Sequence, residues 1–270
     1  MRLGDLEVHR LGFGAMRVCG AQVWGPPKDK ANALKVLRRA HALGHNFFDT
    51  ADSYGPEVGE LLIAEALHPY PRDLVIGTKG GLLRPSPPQW VPDGRPEHLR
   101  RALEGSLKRL RLERIDLYQW HAPDARVPFA ESFGALAELR KAGKIRHLGL
   151  SNVSVAQLEE ARRIAPVVSV QNSYSIDHRS SEDVLQACEK LGLAFLPWYP
   201  LGAGSALRSA KVQRVAARLE ATPAQVAIAW LLAHSRAMLP IPGTANLEHL
   251  EENVRAATLA LSPRDMQDLD

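Results

Sequence analysis

Asp49, Tyr54, Lys79 and His121 are polar residues that fall at or just beyond the ends of short apolar runs. Their types suit proton transfer to a carbonyl oxygen. A free tyrosine ionises near ~10 and gives up its proton poorly at neutral pH, so a tyrosine acid needs a neighbouring cation to lower that value. Lys79 can be that cation, because an opposite charge within ~4–6 Å shifts a pKa by ~1–3 units, and Asp49 would keep the lysine charged and aimed. His121 would orient a carbonyl oxygen beside Tyr54, or share its proton.

Such a group needs a frame that brings four distant segments together. Short β-rich runs at 11–14, 46–49, 74–79, 115–120, 145–151, 167–173, 194–197 and 238–242 alternate with amphipathic stretches at 30–43, 58–67, 97–110, 129–142, 155–164, 182–191, 224–233 and 247–256. Eight βα units in 270 residues predict an α/β fold, a single (β/α)8 TIM barrel forming one domain over 1–270. In such barrels the chemistry sits at the carboxyl ends of the strands, where Asp49, Lys79, Trp120, His121, Ser151, Asn152, Gln171 and Asn172 all fall. Thr222, Pro223 and Gln225 predict a boxed helix start, Gly44 and Gly192 predict helix ends, and the Pro-rich stretch 85–96 predicts a long loop on the active face.

Composition narrows the function classes. With 45% hydrophobic and 24% charged residues and a mean hydropathy of -0.19, the chain has the make-up of a soluble globular protein. The longest apolar candidate, 224–233, is too short to cross a bilayer, and Asp5 and Glu7 interrupt any signal peptide. No membrane partner is expected. The net charge is only +4, and Lys108, Arg109, Arg111 and Arg114 share their stretch with Leu107, Leu110 and Leu112, which reads as a solvated helix face and predicts no nucleic-acid partner. Cys19 and Cys188 have no framework spacing, so the expected compartment is cytoplasmic, and a monomer is the expected state.

Six stretches, NFFDTADSYG (46–55), IGTKGG (76–81), DLYQWHAPD (116–124), GKIRHLGLSN (143–152), VQNSYS (170–175) and LPIPGTANLEHLEEN (239–253), resemble the aldo-keto reductase family, in its order and nearly end to end. The resemblance implies hydride transfer from NADPH, with NADH possible, to a small-molecule aldehyde or ketone. The family's tetrad falls on Asp49, Tyr54, Lys79 and His121, with Tyr54 protonating the developing alkoxide. It further implies that Ser151, Asn152 and Gln171 hold the nicotinamide carboxamide, that Trp198 stacks on its ring, and that Leu201, Gly202 and Gly204 lie along the pyrophosphate. Gly243, Thr244, His249, Glu252 and Asn253 would surround the adenosine end. Members selective for a 2′-phosphate commonly carry Lys and Arg where this chain has Gly243 and His249. What remains for a phosphate is Thr244, the backbone N–H groups opening the last helix, and His249.

RLGFGAM, WGPPKDK (24–30), ALHPYPRDL (66–74) and the 239–253 stretch resemble a branch of the family, the bacterial pyridoxal reductases, also described as pyridoxine 4-dehydrogenases. That implies an aromatic aldehyde lying against Trp24, Trp90 or Trp120, with Arg17 or Arg84 as rim charges able to reach its polar groups. Only residues 257–270 follow the last expected helix, so no long C-terminal lid is expected and bulky steroids are disfavoured.

Competing readings are weaker. A Schiff-base role for Lys79 needs a lowered pKa, which Asp49 would oppose. His41 and His45 have the spacing of a metal pair, but Gly44 breaks the helix between them, and no metal is expected. GFG (12–14) and GAG (202–204) lack the GxGxxG fingerprint. A regulatory or sensor protein of the same fold, binding cofactor with little turnover, is the alternative to an enzyme, and the complete tetrad argues against it.

Overall fold

Two-residue strands β1 (Arg2–Leu3) and β2 (Leu6–Glu7) pair antiparallel around Gly4, in a computed structural model that describes all 270 residues. The chain then runs through β3 (Phe13–Gly14), α1 (Lys30–Ala42), β4 (Phe47–Asp49), α2 (Val58–Leu67) and β5 (Val75–Gly80). A hairpin of β6 (Leu82–Leu83) and β7 (Val91–Pro92) interrupts the alternation inside the Pro-rich loop. It resumes with α3 (Pro96–Leu110), β8 (Ile115–Trp120), α4 (Phe129–Lys141), β9 (Ile145–Ser151), α5 (Val155–Ile164), β10 (Val167–Gln171), α6 (Glu182–Leu191) and β11 (Ala194–Phe195). Five helices follow: α7 (Ser205–Arg208), α8 (Ala210–Arg218), α9 (Pro223–His234), α10 (Leu247–Arg255) and α11 (Pro263–Leu269).

The strands form one parallel sheet of seven, in the order β11-β10-β9-β8-β5-β4-β3, rather than the eight expected. The segment 238–242 is not a strand. Pro240 and Pro242 carry no N–H to donate to a ladder. The segment still lies between the two edges of the curled sheet: Leu239 N–H donates to Phe195 O (2.8 Å), while Pro240 O accepts from Gly12 N–H (2.9 Å). The architecture is barrel-like α/β, with a proline-interrupted segment in the eighth position.

Strand alternation decides which side chains enter the barrel. Phe47, Val75, Leu117 and Ala194 join Leu3 and Leu6 of the β1–β2 hairpin in an inner apolar plug, whereas Phe48, Ile76, Tyr118, Trp120, Leu148 and Val170 pack outward among the helices. Inward residues recur every second position. Asp49, Lys79, Gln119, Ser151 and Gln171 therefore share the interior with the plug, one layer nearer the carboxyl ends.

The helix signals at Thr222 and Gly192 hold: Thr222 and Gln225 form a capping box on α9, and Gly192 caps α6 at φ +66°. The sequence pattern overlooks α7, α8 and α11. The buried face of α8 is only Val212, Val215 and Ala216, and α11 is opened by its own Ser262–Asp265 box but buries little apolar surface. No helix is long and apolar enough to cross a membrane.

Candidate active site

The four polar residues converge at the carboxyl end of the barrel. Lys79, with 0% of its surface exposed, donates to Asp49 Oδ2 (2.6 Å), to Thr50 O (2.8 Å) and to the Tyr54 hydroxyl (3.2 Å). Asp49 Oδ1 accepts from Gln119 Nε2 (3.0 Å) and Gln171 Nε2 (2.9 Å). Gln119 is missing from the residues expected above; its inward register on β8, two residues before His121, is the signal that could have found it. The His121 ring lies edge-on to Tyr54, with centroids 5.9 Å apart, and its Nδ1 is 3.2 Å from Ser53 Oγ. Gly59 makes room for the Tyr54 turn, because a Cβ there would stand 2.8 Å from Thr50 Oγ1 and 3.2 Å from Tyr54 Cβ.

Burial and charge set the protonation states. Burial disfavours a charged Lys79, but Asp49 and Tyr54 outweigh it and hold the ammonium above its ordinary range. Burial, helped by the nearby Lys79 charge, drives His121 well below the usual histidine value, so the ring is neutral. For Tyr54 the expected lowering does not appear. Burial raises its pKa, Lys79 opposes this and Asp49 adds to it, and the net direction is upward. The phenol is firmly protonated in the protein alone, and Lys79 moderates that value without reversing it.

Above this floor opens a cleft of about 630 Å³, lined by Ser151, Asn152, Gln171, Trp198, Leu201, Gly204 and Gly243 from the expected set, together with Trp90 and Tyr199. Gly202, Thr244, His249, Glu252 and Asn253 lie outside its lining. Of the three expected tryptophans only Trp90 faces the cleft. Trp120 points outward, as its register on β8 requires, and packs on Phe129 and Phe133. Trp24 is not part of the lining, and its ring lies 5.6 Å from the Arg84 guanidinium. Arg84 is not a rim charge: it is buried, and it donates to the carbonyls of Gln22, Val23 and Pro87. Arg17 lies on the rim as expected.

The donor set fits a nicotinamide cofactor. Ser151 Oγ accepts from Asn152 Nδ2 (3.1 Å) and keeps its own proton to donate, while Gln171 Oε1 has no partner in the protein. One donor beside one acceptor matches a carboxamide. The Trp198 indole N–H donates to Asn152 Oδ1 (3.1 Å), which fixes the indole as a plate at the cleft wall. Beyond the cleft lining, on α10, Asn253 is 5% exposed and its amide makes no hydrogen bond within the protein, leaving it available to a ligand. One expectation fails there. The Glu248 and His249 N–H groups that open α10 are taken by the Asn246 side chain (2.7 and 3.2 Å), so they are not free for a phosphate.

Comparison with known proteins shows the family. The model of the aldo/keto reductase family matches residues 10–270. Pyridoxine 4-dehydrogenase of Escherichia coli strain K12 is 44% identical over 275 aligned residues, covering 99% of this chain and 96% of that protein. A thermostable aldo-keto reductase crystallised with the inhibitor epalrestat superposes with a TM-score of 0.87 at 33% identity, covering 100% of this chain and 98% of the other. An aldo/keto reductase from Klebsiella pneumoniae, solved with NADP and acetate, superposes with a TM-score of 0.83 at 26% identity, covering 97% and 90%. Matched along nearly its whole length, the chain belongs to the aldo/keto reductase family and is an oxidoreductase.

Proposed function

We propose that this protein reduces a small aldehyde or ketone to its alcohol with NADPH, accepts NADH less well, and takes pyridoxal as one of its substrates. The observation that carries the reading is the buried chain Asp49–Lys79–Tyr54, which ends at a cleft wall shared with a neutral His121. The bound nicotinamide supplies the hydride. Tyr54 gives its proton to the substrate oxygen as negative charge develops there, and the Lys79 ammonium stabilises the phenolate left behind. Asp49, held by Gln119 and Gln171, keeps that ammonium charged and in line. In the tautomer whose Nδ1 accepts from the Ser53 hydroxyl 3.2 Å away, the neutral His121 carries its proton on Nε2 and is a second donor for the same oxygen. Ser151, Asn152 and Gln171 hold the carboxamide and Trp198 covers one face of its ring.

Pyridoxal rests on the name of the Escherichia coli relative, and NADPH on the Klebsiella pneumoniae complex and the donor set above. The fold acts as one domain over residues 1–270, in the cytoplasm and as a monomer. The decisive experiment follows cofactor oxidation with pyridoxal, simple aldehydes and quinones, using NADPH and NADH in turn. Reduction of pyridoxal faster with NADPH is the expected result. Tight NADPH binding with no oxidation by any carbonyl compound would replace the enzyme by a cofactor-binding sensor.

A further inference from the structure

Arg84 is 7% exposed, it pairs with no carboxylate, and it joins the turn at Gln22 and Val23 to its own loop beside Trp90. A buried guanidinium without a counter-ion is costly unless other groups take its charge and its donors. Here two indoles and three carbonyl oxygens do so. The guanidinium lies 3.7 Å from the Trp90 ring and 5.6 Å from the Trp24 ring. It donates to Val23 O (3.1 Å) and Gln22 O (3.0 Å), and also to Pro87 O in its own loop. Gln22 and Val23 both have φ +56°, a left-handed conformation that a β-branched valine adopts only when its surroundings impose it. The same turn is tied to the loop of Tyr54, since Val23 O also accepts from Gly55 N–H (3.2 Å) and Gly25 N–H donates to Gly55 O (2.9 Å).

These contacts have one geometric result. Trp90 sits in the long loop between β6 and β7, with 38% of its surface exposed, yet its indole is held edge-on to Tyr54 and His121 with centroids 6.4 Å from each. Arg84 lies over the Trp90 ring, and Trp90 itself lines the cleft. We propose that Arg84 is a specificity-determining positioning residue that locks the Trp90 indole as a flat wall beside Tyr54 and thereby selects planar aromatic carbonyl compounds over small aliphatic ones. The inference rests on the carbonyl-reductase reading and deepens it by naming the residue that sets substrate preference. Lysine cannot replace Arg84, because a compact ammonium cannot lie flat on an indole while reaching carbonyls on two loops.

The test measures KM and kcat of the NADPH-loaded enzyme for benzaldehyde and for propanal in Arg84→Ala, Arg84→Lys, Trp90→Leu and the Arg84→Ala/Trp90→Leu double variant. Arg84→Ala should raise the benzaldehyde KM about tenfold with kcat within about twofold, and leave the propanal KM within about twofold. Arg84→Lys should show most of the same loss. The double variant should be no worse than Trp90→Leu alone, because Arg84 acts through that ring. Equal KM shifts for the two aldehydes, full activity in Arg84→Lys, or multiplicative losses in the double variant would each overturn the proposal. Should Arg84→Ala not fold, Arg84→Lys and Trp90→Leu still decide it. Should no aldehyde be reduced at all, the enzyme reading fails separately, and quenching of tryptophan emission by benzyl alcohol, expected in wild type and lost in Arg84→Lys, decides the part of Arg84.

Discussion

The cleft floor and the α10 end beyond the cleft lining are built by different rules. At the barrel floor the charged groups are paired: Asp49 accepts from Lys79, Gln119 and Gln171, and Lys79 in turn reaches Thr50 O and Tyr54. At the far end, near α10, the Asn253 amide has no partner within the protein, His249 is exposed, and the helix amides are already capped by Asn246. The floor is organised before any ligand arrives, as electrostatic stabilisation of a developing charge requires. We propose that the far end is completed by the cofactor and sets affinity rather than chemistry.

If that contrast is right, damage to the floor costs most. Tyr54→Phe should lower carbonyl reduction by about 10²–10⁴-fold, the range for a lost general acid, while NADPH affinity measured by fluorescence titration stays within about twofold. Retained turnover would break the floor's claim to the chemistry. Asp49→Asn should leave the fully buried Lys79 without its counter-charge and destabilise the fold by about 3–5 kcal/mol, read from urea unfolding. At the far end, His249→Arg should strengthen NADPH binding about tenfold, with NADH unchanged, because an arginine–phosphate hydrogen bond is worth about 1.5 kcal/mol. An equal gain for NADH would show that His249 does not face the 2′-phosphate.

The smallest effect concerns pH. The folded His121 ionises well below the ordinary value of about 6.5, so below that pH the unfolded chain binds a proton that the folded chain refuses. Stability is therefore complete above about pH 7 and falls as the pH drops, by about 0.7 kcal/mol between pH 7 and 6 for this one group. His121→Asn should flatten that slope by the same amount. For the same reason the turnover profile between pH 6 and 9 should lack a break at the histidine value; a break near 6.5 would mean that His121 titrates in the working enzyme.

Much of this was legible in the residues. Asp49, Tyr54, Lys79 and His121 were marked by polar types closing apolar runs, because a strand end at the barrel mouth is where a polar side chain can sit beside a packed core. The helix signals at Thr222 and Gly192 are local, and local hydrogen bonds hold them. The eighth strand was misread because its apolar character resembles a buried strand, and Pro240 and Pro242 count only against a ladder that needs their missing N–H. The resemblance puts Trp120 among the pocket aromatics, although its register sends it outward to Phe129 and Phe133. Arg84 looked like a rim charge, since nothing near it in sequence announces the turn at Gln22 and Val23 that receives it.

The sequence by itself determined the alternation of strands and helices, the family, and the four residues at the floor, since periodicity, strand ends and motif order are carried by neighbours along the chain. Only the tertiary structure decided that Gln119 and Gln171 share one oxygen of Asp49, that burial outweighs Lys79 at Tyr54, and that Asn246 occupies the α10 amides. Those outcomes depend on which groups, distant in sequence, exclude water from one another, and a pKa or a free hydrogen-bond donor is a property of that surrounding rather than of the residue.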